Sequence, residues 1–296
     1  MDRFDALIEG YLAYKKDVNR LAPGALRDIR CSLRRVIQQM QHVRSDVPLW
    51  KLSLADYTRY VEREREAQAS PRCINKYLTH VRGLLGYAWR SGRCERNVLD
   101  GFHLQDGAPR TPPRSLTLDE AQALIAACPR ATVEQRRDRV MLLVLYGCGL
   151  RTHELCALNV QHVSLERKEL SVLAAKGDKP RSVPIPDAVF TELLAYLHER
   201  GGKRGPLFKT YVKKTRVRHV NVGHAVRQAA RRAGLSSDIT PKTLRHSFAT
   251  HLMDRGVDLG IIASLMGHRS PQETGVYLHV LPSRKERAVT QLQQGD

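Results

Sequence analysis

Residues 101–113 read Gly-Phe-His-Leu-Gln-Asp-Gly-Ala-Pro-Arg-Thr-Pro-Pro. Glycine and proline disfavour both helix and central strand, because glycine is conformationally costly to order and proline lacks a backbone donor. We therefore predict a linker at 105–113 between two domains, 1–104 and 114–296. The length of 296 residues agrees with two domains at about 150 residues each.

On the N-terminal side of this stretch, the apolar residues follow helical periodicity. Phe4, Leu7, Ile8, Tyr11 and Leu12 step along one helical face. Cap and proline signals predict helices over 4–16, from 23 to about 41, after residue 53, and from 71 to near 92. Because no strand pattern occurs here, this domain is predicted to be a small helical bundle.

On the C-terminal side, the pattern is mixed. Residues 117–120, Thr-Leu-Asp-Glu, form a capping-box signature that begins helical segments reaching about Leu158. Short strands are expected at 160–163, 169–174 and 182–185, with a turn at 176–179. Helices resume at Asp187. The predicted fold class is therefore mainly α, with an N-terminal helical bundle and a C-terminal mixed α/β domain that holds a small antiparallel sheet.

The charge balance indicates a polyanionic partner. The chain carries 49 Lys and Arg against 30 Asp and Glu, a net charge of +19, and both halves are basic. Residues 200–237 contain 11 Lys and Arg and no acid. Such a run can be an ordinary solvated face, but phosphate contacts that release counterions explain it better. Because aromatic residues are only 6%, duplex DNA or structured RNA is favoured over a base-stacking single-strand ligand.

Several other classes are disfavoured. The longest apolar stretch, 140–150, has 11 residues, against about 20 for a membrane span. The N-terminus is acidic and lacks the features of a signal peptide. The six cysteines form no C-x-x-C pair, so neither a zinc knuckle nor a redox pair is expected. We expect a soluble intracellular protein with reduced thiols.

Three separated motifs contain the candidate chemistry. They are Gly147-Cys-Gly-Leu-Arg-Thr-His-Glu154, Thr240-Pro-Lys-Thr-Leu-Arg-His-Ser-Phe-Ala-Thr-His251 and Leu265-Met-Gly-His-Arg-Ser-Pro-Gln-Glu-Thr-Gly-Val-Tyr-Leu-His279. Thr240 is predicted to cap a helix that places Lys242 and Arg245 on one face near its positive end. Gly267 is predicted to end a helix and expose His268, and Tyr277 follows on the next helix.

Each of these residues alone has an ordinary interpretation as a surface charge, a turn residue or a core aromatic. Together they can form a site that cleaves a phosphodiester without a metal. Two arginines can hold the nonbridging oxygens, and a further donor can stabilise the transition state. A lysine can protonate the leaving oxygen while a tyrosine attacks phosphorus.

These motifs resemble those of the tyrosine recombinases, or lambda-type integrases, of the compact two-domain kind typified by Xer recombinases. The matching segments are Gly-Leu-Arg-x-x-Glu at 149–154, the lysine motif Lys-Gly-Asp-Lys-Pro-Arg-Ser-Val-Pro at 176–184, Leu-Arg-His-Ser-Phe-Ala-Thr at 244–250, and Gly-His with the later Tyr at 267–277. The resemblance covers essentially the whole chain. It implies a helical core-binding domain, a linker and a catalytic domain.

The resemblance also implies a role for each matched residue. Arg151 and Arg245 would grip the scissile phosphate, and Glu154 would support them. Lys176 would be the general acid, His268 would hydrogen-bond the phosphate, and Tyr277 would be the nucleophile. Lys242 fills a further donor position of the family. The complete set of matched residues is Arg151, Glu154, Lys176, Lys242, Arg245, His268 and Tyr277.

Lys242 departs from the common family pattern, which has histidine three residues before the second arginine. An unperturbed lysine has a pKa of about 10.4, so it serves better as a proton donor than as a base. His246, His251 and His279 adjoin motif positions and are expected to be structural. No cofactor and no metal are implied.

The implied function is site-specific recombination, with strand cleavage through a 3′-phosphotyrosyl link and without ATP. The expected partners are double-stranded DNA, clamped by the two domains, and three further copies in a homo-tetramer on two DNA sites; free protein would be a monomer or weak dimer. A helix over 283–294 would pack on a neighbouring copy or on its own domain. No membrane partner is expected, and the location would be the cytoplasm, at the nucleoid.

Two alternatives share some of these features. A type IB topoisomerase uses the same chemistry to relax supercoils, but the compact length and separate helical domain favour recombination. A catalytically inactive DNA-binding regulator has no need to keep the full residue set. Because the helical domain begins almost at residue 1, no additional arm-binding domain is expected.

Overall fold

The structure is a computed structural model that describes residues 3–41, 47–104, 114–173 and 180–268. The chain divides into two compact units, Met1–Arg110 and Thr111–Asp296. The segment predicted to be the linker, 105–113, lies outside the described residues. The described part is mostly helical with one small antiparallel sheet, which confirms the predicted fold class.

The N-terminal unit contains four described α-helices, and no strand lies within its described ranges. They are α1 (Arg3–Asp17), α2 (Pro23–Gln41), α3 (Leu54–Glu66) and α4 (Pro71–Arg90). The predicted caps are present. The Ser53 hydroxyl accepts from the Asp56 amide, the Asp56 carboxylate accepts from the Ser53 amide, and the Ser70 hydroxyl accepts from the Cys73 amide. These bonds satisfy amide donors that would otherwise be unpaired at the helix starts.

The core of this unit lies between α2 and α4, with α1 and α3 packed beside them. Fully buried tyrosines on α3 fill the space next to aliphatic residues of the longer helices. The Tyr57 hydroxyl donates to the Leu49 carbonyl at 2.8 Å, which satisfies its polar end inside the core.

The C-terminal unit contains seven described α-helices. They are α5 (Leu118–Ala126), α6 (Val133–Gly147), α7 (Thr152–Ala157), α8 (Asp187–Arg200), α9 (His219–Arg232), α10 (Pro241–Asp254) and α11 (Leu259–Met266). The capping box predicted at Thr117 and the helix cap predicted at Thr240 are both formed. The predicted return to helix at Asp187 is also confirmed.

Three antiparallel strands form the sheet in the order β1 (Val163–Ser164), β2 (Glu169–Val172) and β3 (Arg181–Pro184). Leu170 of β2 pairs with Val163 on one side and with Val183 on the other. The first strand predicted at 160–163 is wrong for most of its length, because Val160–His162 is a 3₁₀ turn. Its short apolar pattern does not separate a turn from a strand. The predicted turn at 176–179 lies outside the described residues.

Helix α6 is the centre of the C-terminal core. Its residues from 140 to 145 are buried on every face, and it packs against α8, α9 and α10. A helical segment that is apolar on all sides, as 140–145 is, is typical of the interior of a domain. The end of α6 is thereby fixed from several directions, and the next residues of the chain form the candidate site.

Two further observations concern the cysteines and the apolar character of the helices. All six cysteines lie within the described residues and are free; Cys128, Cys148 and Cys156 are buried. Among the described helices, none is both long enough and apolar enough to cross a membrane.

Candidate active site

The site begins at the turn between α6 and α7. Gly149 has a φ of +62° and packs directly against the ring of Phe248 on α10. Glycine adopts this left-handed backbone without strain. The turn places Arg151 immediately before the first residue of α7, and Glu154 accepts from the Arg151 amide at 2.7 Å.

Glu154 is the buried centre of the site, with only 2% of its side chain exposed. Its carboxylate accepts hydrogen bonds from Arg151 Nη1 at 3.2 Å and from Arg181 Nη1 and Nη2 at 2.8 and 2.9 Å. Arg245 Nη1 lies 3.8 Å from Oε2 of the same carboxylate. Three guanidinium groups from three separate elements therefore surround one carboxylate.

The surroundings of Glu154 decide its charge. Burial by itself raises the pKa of Glu154, but hydrogen bonds from Arg181 and the Arg151 amide, with the charges of Arg181 and Arg245, outweigh burial and lower the pKa. The carboxylate is therefore ionised at neutral pH. Within the described residues of this group, one negative and three positive charges give a net positive charge, which suits an anionic ligand.

Backbone carbonyls hold the two predicted phosphate-binding arginines. Arg245 is buried on α10, where its Nη1 donates to the Gly149 carbonyl at 2.6 Å and its Nη2 to the Met266 carbonyl at 2.8 Å. Arg151 Nη2 donates to the Gly267 carbonyl at 2.9 Å. The turns after α6 and after α11 thus fix both arginines around the same carboxylate.

The turn after α11 places His268 next to this group. Gly267 has a φ of +64° and ends the helix as predicted, with the His268 amide donating to the Ala263 carbonyl at 3.0 Å. The His268 side chain is partly exposed. The Gly267 carbonyl accepts a hydrogen bond from Arg151, so the residue just before His268 contacts the arginine cluster.

Lys242 lies on the exposed first turn of α10, one turn before Arg245. Its positive charge helps to lower the pKa of His246 in the same helix. Burial lowers the pKa of His246 to about 4, and Lys242, Arg245 and His268 act in the same direction. His246 is therefore neutral at neutral pH, whereas an unperturbed histidine has a pKa of about 6.5.

His251 has a different environment from His246. Its Nδ1 lies 2.8 Å from the Tyr146 hydroxyl, and its Nε2 lies 2.8 Å from the Leu116 carbonyl. It is buried and joins α10 to α6 and to the segment before α5. These contacts agree with the structural role expected for it.

The structure thus brings together Arg151, Glu154 and Arg245, with His268 adjacent and Lys242 at the exposed edge. Two residues that the sequence nominates, Lys176 and Tyr277, lie outside the described residues, as does His279.

Arg181 is the participant that the sequence reasoning did not nominate. It lies within the lysine motif at 176–184, and the resemblance assigned no role to it. Its partner Glu154 is 27 residues earlier in the chain, so no local pattern links them. The two residues meet only in the tertiary structure, where Arg181 donates to Glu154 on α7 and to the Leu265 carbonyl on α11.

The arrangement of the three guanidinium groups indicates anion binding. Among the described residues, no group of three His, Cys, Asp or Glu side chains is placed to hold a metal ion. The guanidinium groups can donate paired hydrogen bonds to the oxygens of a phosphate. The partly buried setting strengthens each such bond relative to water.

Comparison with known proteins identifies the family. The phage integrase family matches the chain over residues 114–284, which is more than half of its length. The tyrosine recombinase XerA of Pyrococcus furiosus is 33% identical over 255 residues, covering 81% of this chain and 87% of the relative. A tyrosine recombinase of Thermosipho africanus is 32% identical over 295 residues, covering 97% of this chain and all of the relative.

Solved structures show the same fold. The Tn1549 transposon integrase, in complex with a circular intermediate DNA, has a TM-score of 0.76 at 18% identity, covering 97% of this chain and 99% of that chain. A lambda integrase dimer bound to a COC′ core site has a TM-score of 0.74 at 14% identity, covering 92% and 94% of the two chains. The resemblance found in the motifs is confirmed: this chain belongs to the phage integrase family of tyrosine recombinases.

Proposed function

We propose that this protein is a site-specific recombinase that cuts and rejoins duplex DNA through a 3′-phosphotyrosyl intermediate. One observation carries the proposal. In a chain of the tyrosine recombinase family, Arg151 and Arg245 are fixed around one buried carboxylate by hydrogen bonds to separate backbone turns.

The two arginines would bind the nonbridging oxygens of the scissile phosphate. Arg245 is 10% exposed and Arg151 is 22% exposed, so both charges sit partly sheltered from water. Charge-assisted hydrogen bonds to phosphate are strong, and their strength grows as negative charge develops in the transition state. His268 would donate a further hydrogen bond to the same oxygens, and Lys242 would act as a cationic donor at the edge of the site.

The covalent step is assigned to Tyr277. Its phenolic oxygen would bond to phosphorus as its proton passes to solvent water, and the bond from phosphorus to the 5′ oxygen would break. Lys176 would supply the proton that the departing 5′ oxygen needs. The products are a 3′-phosphotyrosyl link and a free 5′ hydroxyl.

Rejoining is the reverse reaction with the 5′ hydroxyl of another strand. That hydroxyl attacks phosphorus, and the tyrosine leaves. Because the phosphotyrosyl link conserves the energy of the original phosphodiester, the cycle needs no ATP. The residues assigned here also supply the charge stabilisation that a metal ion provides in other phosphoryl-transfer sites, so we propose a metal-independent reaction.

DNA is the proposed partner of both domains. The helical domain at 1–104 is assigned to core-site binding and the domain at 114–296 to catalysis, with 105–113 as the linker. The basic charge of both parts supports phosphate contacts, and the related integrase structures named above contain DNA. We further propose a homo-tetramer on two DNA sites, which acts at the nucleoid in the cytoplasm.

The comparisons favour recombination over the two alternatives, because the named relatives are recombinases. A plasmid experiment separates the three activities. The DNA sequence that the protein enriches from a random duplex pool, called the selected site below, is cloned in two direct copies on a supercoiled plasmid. Recombination predicts two smaller circles, in EDTA as well as in buffer without it.

The other outcomes are distinct. Relaxation of the plasmid without deletion, independent of the selected site, would identify a topoisomerase. Binding without any change in topology would identify an inactive regulator. Deletion that stops in EDTA would contradict metal independence while leaving recombination in place.

A further inference from the structure

Arg181 is the first residue of β3, and its side chain is only 11% exposed. It makes three well-formed hydrogen bonds in the site. Its Nη1 and Nη2 donate in parallel to the two oxygens of Glu154 at 2.8 and 2.9 Å. Its Nε donates to the Leu265 carbonyl at 2.8 Å. This forked pairing uses the planar geometry of arginine, which lysine cannot reproduce.

The guanidinium of Arg181 also packs against the turn that precedes His268. A Cβ atom on Gly267 would lie 2.6 Å from Nη1 of Arg181, closer than any real Cβ contact. The carbonyl of the same glycine accepts a hydrogen bond from Arg151. Arg181 therefore connects β3 to the end of α11 and, through Glu154, to the start of α7.

The distances around Glu154 rank its partners. Among the guanidinium groups, the contacts from Arg181 are shorter than that from Arg151 Nη1, at 3.2 Å, and that from Arg245 Nη1, at 3.8 Å. The pairing with Arg181 offsets the charge of the carboxylate. Without it, Glu154 would remain buried with Arg151 and Arg245 as its nearest described cations, and it would draw their charge away from a ligand.

We propose that Arg181 is a positioning residue for phosphate binding: by pairing with Glu154 in a fork, it keeps Arg151 and Arg245 directed to the scissile phosphate. The inference rests on the proposed function, since it assigns a part in the same cleavage step. Arg181 itself acts through Glu154 and not by contact with the DNA.

The test uses two nicked duplexes that carry the selected site, one with an ordinary scissile phosphate and one with a neutral methylphosphonate. Arg181→Gln should slow single-turnover cleavage of the phosphate by about 100-fold, the loss expected when a reacting group is misplaced by about 1 Å. The loss should be at least several-fold smaller on the methylphosphonate, because that substrate presents less negative charge for the arginines to stabilise. Arg181→Lys should fall between wild type and Arg181→Gln.

A second arm tests the route through Glu154. In a Glu154→Gln background no carboxylate competes for Arg151 and Arg245, so adding Arg181→Gln should cost only a few-fold more. Such non-additivity is the signature of a direct interaction between the two residues.

Arg216 provides a matched control in the same unit. Its Nη1 donates to the carbonyls of Cys156 and Leu158, and its Nη2 to Oδ1 of Asn159, so it is well bonded but pairs with no carboxylate in these contacts. Arg216→Gln should lower stability and change both cleavage rates equally. If Arg181→Gln does not fold, the ratio of the two rates in Arg181→Lys provides the same readout.

Equal slowing of both substrates by the Arg181 variants, as in the Arg216 control, would overturn the inference alone. A wild-type protein that binds the selected site but cleaves neither substrate would overturn the proposed function and this inference with it.

Discussion

Gly149 and Phe248 are in direct contact across the site, although they lie in different motifs. A Cβ atom on Gly149 would overlap Cδ1 and Cε1 of the Phe248 ring and would lie 3.1 Å from Cγ. Phe248 is three residues after Arg245 on α10, and Gly149 is two residues before Arg151. This contact therefore sets how closely the two arginine-bearing segments approach each other.

Gly149→Ala should destabilise the protein by about 3 kcal/mol, because a positive φ costs alanine about 1–2 kcal/mol and overpacking costs about 1–3 kcal/mol. It should also slow DNA cleavage by displacing Arg151. Gly234→Ala is the matched control, since Gly234 has a φ of +67° but a Cβ atom added there would meet nothing within 4 Å. It should cost only about 1 kcal/mol. Urea denaturation measures the free energy of unfolding of both variants. Equal losses of stability in the two would contradict the role of Phe248.

Arg245→Ala should retain binding to the selected site but slow single-turnover cleavage by about 10²–10³-fold, the usual effect of removing one transition-state donor. Arg245→Lys should recover part of the rate, since it keeps the charge without the fork. Gel-shift titration gives the affinity and quenched-flow sampling gives the rate. A parallel loss of affinity and rate would indicate ground-state binding instead.

Glu154→Gln should destabilise the protein by about 3 kcal/mol at pH 7, because it breaks a buried ion pair. The pKa of Glu154 lies below its ordinary value of 4.5, so its charge stabilises the fold above that pH. This stabilisation is lost as the pH falls through the lowered pKa. The difference between wild type and variant should therefore shrink below pH 4.5, as measured by urea denaturation. A difference that is constant with pH would contradict an ionised Glu154.

His246 should titrate near pH 4 in the folded protein, where burial holds its pKa at about 4. The unfolded chain takes up that proton near pH 6.5, so this group lowers stability as the pH falls from 6.5 towards 4. NMR of the imidazole Cε1–H resonance gives the midpoint directly, with His246→Gln used to assign it. A midpoint near 6.5 would show that the imidazole is solvated.

Elements with strong local signals were predictable from the sequence. The capping box at Thr117, the helix cap at Thr240 and the terminal glycine at Gly267 are confirmed, because hydrogen bonds and backbone angles within a few residues determine them. The strand predicted at 160–163 is mostly a 3₁₀ turn because its few apolar residues fit either structure.

The candidate site was also predictable only in part. The motif spacing nominated Arg151 and Arg245, and the family resemblance added Glu154. The structure brings these three residues together. Arg181 was missed because its partner is 27 residues away in the sequence and the two meet only in the tertiary structure. The roles of Lys176 and Tyr277 stay predictions.

The central claim is that Tyr277 forms a covalent bond with DNA, and peptide mapping of the adduct tests it most directly. Wild type, Tyr277→Phe and Tyr211→Phe are each mixed with a nicked duplex that carries the selected site, then denatured in SDS and digested with trypsin. Tyr211 is a suitable control because it is an exposed tyrosine of the same unit. We expect an SDS-resistant adduct on the peptide that contains Tyr277 in wild type and Tyr211→Phe, and none in Tyr277→Phe. An adduct that persists in Tyr277→Phe, or its absence from wild type that binds the duplex, would contradict the account.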